Sequence, residues 1–208
     1  MRAERKLLIS IILIWLFNIS GIIGILIGYD DWFLPLTPLN LLLYLGLIIW
    51  NSKFNKFLIL GLLIPFSIGM ITEYLGVNYG LIFGNYQYGE NLGVKILGVP
   101  WIIGANWALL VYCTSAISKK IHPSAVVSSF IGAVLMVALD VIIEVSAPRF
   151  DFWEFENGVV PLQNYVGWLI TAFIAHLLFQ KVYKTLHYGI SVHVFLAIFI
   201  FFTTFLFY

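Results

Sequence analysis

The chain has 208 residues, 62% of them hydrophobic and only 10% charged, with a mean hydropathy of +1.00. A soluble domain of this length needs far more charge on its surface, and a net charge of +1 without a basic tract excludes a nucleic-acid footprint. The single cysteine, Cys113, lies inside an apolar run, which excludes a disulfide framework and a cysteine metal site.

Arg2, Arg5 and Lys6 open an apolar stretch that runs to about residue 28. It is longer than a signal-peptide core and no small-x-small cleavage site follows, so it reads as a retained first span. Further apolar segments follow at 33–50, 57–76, 96–117, 123–145, 161–180 and 190–208, each near the ~20 residues that cross a bilayer. Pro35 and Pro38 fall in the first turns of the second span, where a missing N–H costs little. Pro65 is mid-span in the third and is expected to kink it unless neighbouring helices satisfy the freed carbonyl. The expected fold is all-α: a single integral membrane domain over 1–208, a bundle of about seven transmembrane helices. No strands are expected, and no repeats or linkers mark a second domain.

Charges between the spans set the expected orientation. The N-terminal basic residues, Lys53 with Lys56, Lys119 with Lys120 and Lys181 with Lys184 all fall on one side, nine of the eleven basic residues. By the positive-inside rule that side, with the N-terminus, is cytoplasmic. Two outward connections stand out. Residues 77–95 are rich in Gly, Tyr and Asn, and residues 146–160 combine Pro, aromatics and acids. They read either as an aromatic belt at headgroup level or as paired lids over a cavity facing the outer leaflet.

Three carboxyls fall inside predicted spans at similar outward depth: Glu73 in the third, Asp140 and Glu144 in the fifth. Asp140 and Glu144 are four apart and share a helix face. Charges at that depth are costly and usually face a bundle interior. Two carboxyls so close resist ionising together, which leaves an acid beside a base. The competing reading is that these acids neutralise Arg149 or Lys95 and fix helix ends. Asn106, Trp107 and Asn164 add polar partners, and His176, alone in the sixth span, reads as a satisfied interior histidine. No paired histidines could hold a di-iron centre, no glycine-rich nucleotide fingerprint follows a strand, and the seventh span has no lysine for a Schiff base. What remains is metal-free, cofactor-free acid–base chemistry on a lipid-soluble substrate, or transport.

One stretch runs Glu73, Gly76, Gly80, Phe83-Gly84-x-Tyr86-x-Tyr88, Leu92-Gly93, Gly98-Val99-Pro100 and Trp107. A second runs Asp140-x-x-x-Glu144, Trp153, Gly158, Pro161, Asn164 and Gly167-Trp168. In order and spacing, over roughly residues 70–170, these motifs resemble the CruF-type membrane carotenoid 1,2-hydratases. Two positions depart. The family pattern has a second aspartate followed by proline where this chain has Glu144 and then Val145, and Trp-x-Trp where it has Trp153-Glu154-Phe155.

The resemblance implies a hydro-lyase of carotenoid biosynthesis that hydrates the terminal C1–C2 double bond of an acyclic (ψ) end group, as in lycopene or γ-carotene. It implies Asp140 as the acid and Glu73 or Glu144 as the base. Tyr86, Tyr88, Trp107, Trp153, Asn164 and Trp168 would bind the substrate and stabilise a cation. The partners implied are the carotenoid, membrane lipid and other enzymes of the pathway, in the bacterial cytoplasmic membrane. A lycopene-type cyclase or isomerase, which begins with the same protonation, and a proton-coupled transporter stay open as alternatives.

Overall fold

The computed structural model describes residues 2–208. Within them, seven helical spans are long and apolar enough to cross a membrane. The first is α1 (Arg2–Leu26). The second joins a short α2 (Asp30–Phe33), a 3-10 turn (Leu34–Leu36) and α3 (Thr37–Asn51). Then come α4 (Lys56–Tyr79), α5 (Trp101–Ile121), α6 (Ala125–Ser146), α7 (Leu162–Val182) and α8 (Tyr188–Thr204). The all-α, polytopic reading holds, with boundaries moved in two places. The second span starts at Asp30, because Pro35 and Pro38 are absorbed by the 3-10 turn and the first turn of α3. The third, α4, runs on as one helix through Pro65.

The fourth span starts at Trp101 rather than 96, and the cause corrects the expectation of no strands. Strands β2 (Lys95–Ile96) and β3 (Val99–Pro100) pair as a hairpin whose turn residues, Leu97 and Gly98, both take positive φ. A second antiparallel pair forms between the two unusual connections: β1 (Tyr86–Tyr88) lies against β4 (Trp153–Phe155), with Tyr86 opposite Phe155 and Tyr88 opposite Trp153. Strands of two or three residues are too short to leave a periodic signal, and glycines flank them.

The helix α5 is the axis of the bundle. Its span is 83% buried, against 22–44% for the others, and it packs against α3, α4, α6, α7 and α8. Gly104, Ala105, Ala108, Ser115 and Ala116 keep its surface small enough for close approach. Lipid offers little hydrophobic drive between helices, so polar contacts matter. Asn51 Nδ2 reaches Ser10 Oγ at 2.7 Å, Trp15 Nε1 reaches His193 Nδ1 at 3.0 Å, and Ser128 Oγ reaches Gln180 Oε1 at 3.0 Å. His176 is bonded at both ring nitrogens, to Thr114 Oγ1 and the Ala172 carbonyl, each at 2.7 Å. Leu8, Ile12, Leu16 and Ile23 on α1, with their counterparts on the other outer helices, face outward as lipid-contacting surface.

Candidate active site

Helices α4, α5, α6 and α7 each deliver one element of the site, and β1 and β4 close over it. Glu73 is six residues before the end of α4, which stops at Gly80 in the left-handed conformation (φ 64°) that glycine adopts without a Cβ penalty. One turn before Glu73, Gly69 meets the Trp107 ring so closely that a Cβ would overlap it. That approach lets Trp107 Nε1 donate to Glu73 Oε1 at 3.2 Å. On the other oxygen Glu73 accepts Tyr88 Oη at 2.7 Å and a short bond from Tyr86 Oη. Glu73 is 3% exposed and bonded to three neutral donors.

The strand register explains how both tyrosines reach one carboxyl. Alternation along β1 and β4 turns Tyr86, Tyr88, Trp153 and Phe155 inward and leaves Gln87 and Glu154 exposed. Phe155 thus holds an inward aromatic position where the related motif has tryptophan, and its ring sits 5.1 Å from that of Tyr86. Burial, and after it the Glu73 charge, pushes the Tyr86 and Tyr88 phenols above their ordinary range, so both remain donors. The two connections are further tied by Gly89 N to Phe152 O (2.9 Å), Asn85 Nδ2 to Glu156 Oε2 (3.0 Å) and Glu90 N to Asp151 Oδ2 (2.7 Å).

From α6, Asp140 and Glu144 point to the same place, and one α7 side chain joins them. Asn164 Nδ2 donates to Asp140 Oδ2 at 2.9 Å and to Glu144 Oε1 at 3.3 Å. Trp153 Nε1 donates to Glu144 Oε2 at 3.0 Å. The basic residues weighed as their counter-ions are engaged elsewhere. Lys95 pairs with Glu90 at 2.7 Å and donates to the Tyr88 carbonyl, while Arg149 bonds the carbonyls of Phe205 and Tyr208. The three carboxyls are thus held by neutral donors, and the helix-end neutralisation reading does not fit.

The nine residues to which the sequence motifs assign catalytic or binding roles line one cavity with Asn106: Glu73, Tyr86, Tyr88, Trp107, Asp140, Glu144, Trp153, Asn164 and Trp168. Trp107 and Trp168 stack with centroids 4.5 Å apart, and Phe83 lies over both. The cavity measures about 30 Å³, room for about two water molecules. Among the described residues no group of three or more His, Cys, Asp or Glu has a metal-site arrangement.

A second cavity of about 680 Å³ adjoins the first, lined mainly by apolar side chains of α1, α3, α5 and α8 and of the turn between α2 and α3. Ile103, Asn106, Leu110, Ile143 and Trp153 belong to both walls. Neither this chamber nor its link to the acids was foreseen, since a void between helices has no local signature in sequence. Leu16, Phe17 and Leu39 line it and are exposed, so it opens toward lipid between α1 and α3.

No solved structure matches the chain at a significant level. A relative from Haloarcula japonica, bisanhydrobacterioruberin hydratase, is 31% identical over 122 residues, covering 52% of this chain and 40% of its own. The chain therefore spans less than half of that relative's length. A family model described as "Carotenoid biosynthesis protein" matches residues 38–208, a segment that holds all three carboxyls and both strand pairs. With most of its length matched in this way, the chain belongs to the carotenoid biosynthesis protein family.

Proposed function

We propose that this chain is a cofactor-independent carotenoid 1,2-hydratase, adding water across the terminal C1–C2 double bond of an acyclic end group to give a tertiary alcohol. One observation carries the reading: three buried carboxyls line a chamber with room for about two waters, and that chamber shares a wall with a 680 Å³ apolar cavity. An apolar chain can lie in the larger space with its end group at the shared wall, facing the acids and water of the smaller one. Space for water beside the acids favours hydration over cyclisation, where an alkene must capture the same cation.

The hydrogen bonds support a division of roles. Asp140 takes one protein donor, on Oδ2, and so keeps an oxygen able to carry a proton. Glu73, with three donors, is bonded as a carboxylate. Protonated Asp140 gives its proton to C2; the alkene electron pair forms the new C–H bond and leaves positive charge on the tertiary C1. The faces of Trp107, Trp153 and Trp168, with the Glu73 charge, stabilise that cation. A water lone pair closes the C1–O bond, and Glu144 takes the proton the water sheds. That proton returns to Asp140, four residues away on the same face, so alkene plus water yields alcohol and the site is restored.

The charge distribution supports an N-terminus on the cytoplasmic side of the cytoplasmic membrane, with the acids in the outward half. Lycopene and γ-carotene are the substrates to try first. Expression in a bacterium accumulating them should yield a pigment heavier by one water, labelled from heavy-oxygen water and not from heavy dioxygen. Asp140→Asn should remove that product while the protein stays inserted. An unchanged mass with altered retention would replace the reading with cyclisation or isomerisation. Full activity of the Asn variant would refute the role of Asp140, and proton flux in liposomes without any hydration would favour transport.

A further inference from the structure

The axial helix α5 is buried through its middle except at one residue. From Ile102 to Ala116 every side chain is buried but Asn106, which is part-exposed. That exposure is to the two cavities, since Asn106 lines both. An asparagine inside a span is expected to bond a neighbouring helix, yet no described residue bonds the Asn106 side chain. Its companions in the shared wall have nothing to offer it. Ile103, Leu110 and Ile143 are aliphatic, and the Trp153 N–H is spent on Glu144. Among the described residues Asn106 is therefore the one group in that wall whose hydrogen-bonding capacity is unused.

The position of this amide narrows its partner. An isoprenoid end group at the shared wall offers neither donor nor acceptor, so the partner there is water from the smaller chamber. A held water needs about two to four polar partners, and Asn106 with Glu144, which lines the same chamber, provides two. We propose that Asn106 holds the attacking water of the hydration, its amide oxygen accepting one O–H while Glu144 accepts the other. The water's lone pair is left free to face C1. When the C1–O bond closes, the proton aimed at Glu144 leaves and the one aimed at Asn106 stays as the alcohol hydrogen. Without that hold, the cation decays by losing a proton from a C1 methyl to Glu144. The C–H electron pair then forms a double bond to that methyl carbon, giving an isomeric alkene. Asn106 thus sets the choice between hydration and isomerisation after protonation. The role rests on the hydratase reading; the open amide at the shared wall rests on the structure alone.

The test is product partition by the purified chain in lipid nanodiscs, given lycopene in deuterium oxide. Protonation then leaves one deuterium at C2 in either product, and mass with retention separates the alcohol from the isomeric alkene. The unaltered chain should give the alcohol almost alone. Asn106→Leu should lower the alcohol-to-alkene ratio about three- to tenfold, the worth of one net hydrogen bond, with the alkene rising at the alcohol's expense. Leucine removes no hydrogen bond within the protein, so the unfolding temperature and the affinity for lycopene should hold. The ratio compares two fates of one cation, so a smaller folded fraction leaves it unmoved. An unchanged ratio in Asn106→Leu, or alcohol and alkene falling together, would overturn the assignment. The two failures are distinct: no alcohol from the unaltered chain sinks the hydratase and this role with it. Alcohol from both chains at one ratio sinks the role of Asn106 alone.

Discussion

Asn164→Leu is the most informative single change, because one amide nitrogen holds both α6 carboxyls. Leucine matches asparagine closely in shape and removes both N–H donors, at 2.9 Å to Asp140 and 3.3 Å to Glu144. With Glu144 ionised and Asp140 protonated, the bond to Glu144 is worth about 1.5–3 kcal/mol and the bond to Asp140 about 0.5–1.5 kcal/mol. The longer bond sits at the weak end of its range, so the sum lies at about 2–3 kcal/mol. Loss of that orienting energy from the transition state lowers turnover by about 30- to 150-fold. The assay is hydrated pigment formed per folded protein, with thermal unfolding in detergent as the control. A purely structural link between α6 and α7 would lower the unfolding temperature and leave turnover per folded molecule unchanged. A stability cycle with Asp140→Leu adds a second check: the two changes should couple by about 0.5–3 kcal/mol, since they remove the same contact. An Asn164→Leu protein that is folded and turns over normally would refute the reasoning.

Gly69→Ala should displace the Trp107 ring and weaken its bond to Glu73, costing about 1–3 kcal/mol as overpacking does and lowering turnover. Shifted tryptophan emission would report the movement, and a silent variant would argue against the close approach. Phe155→Trp keeps an aromatic at an inward position but adds volume beside a chamber of about 30 Å³. Turnover on the same substrate should fall, and unchanged turnover would show that Phe155 does not set the chamber's size. Tyr86 and Tyr88, whose phenols are raised by burial and by Glu73, should stay protonated as pH passes the ordinary tyrosine value of about 10. Their contribution to stability is complete below that value and is lost as pH climbs toward the raised folded values. Tyrosinate absorbance of the folded chain near pH 10 should therefore be the same in a Tyr86→Phe/Tyr88→Phe variant; a smaller signal would show that these phenols titrate normally.

The spans were legible because a membrane imposes its demand on each segment separately: backbone polar groups must be satisfied within the helix, and its surface must be apolar. Local composition is enough to find such segments, and all seven were found. The pairing of Asp140 with Glu144 was legible for the same reason, since four residues of helix make one face. Motif spacing carried the candidate residues, and all nine meet at one chamber.

Other features depend on how the helices pack. Nothing near Glu73 says that a helix some 70 residues later will bring Asp140 beside it. Nothing in Tyr86-Gln87-Tyr88 says that it will pair with Trp153-Glu154-Phe155, because neither segment is long enough to show a strand period. Lys95 and Arg149 were equally plausible counter-ions until the hairpin and the C-terminal carbonyls claimed them. The larger cavity is further still from the sequence: a void is a relation among α1, α3, α5 and α8, and no residue bears its mark alone. By itself the sequence determined which segments cross the membrane and which carboxyls share a helix face, because those follow from local physics. Only the tertiary structure decided which groups hold the acids, where water and an apolar chain can meet them, and which polar atoms remain unpaired.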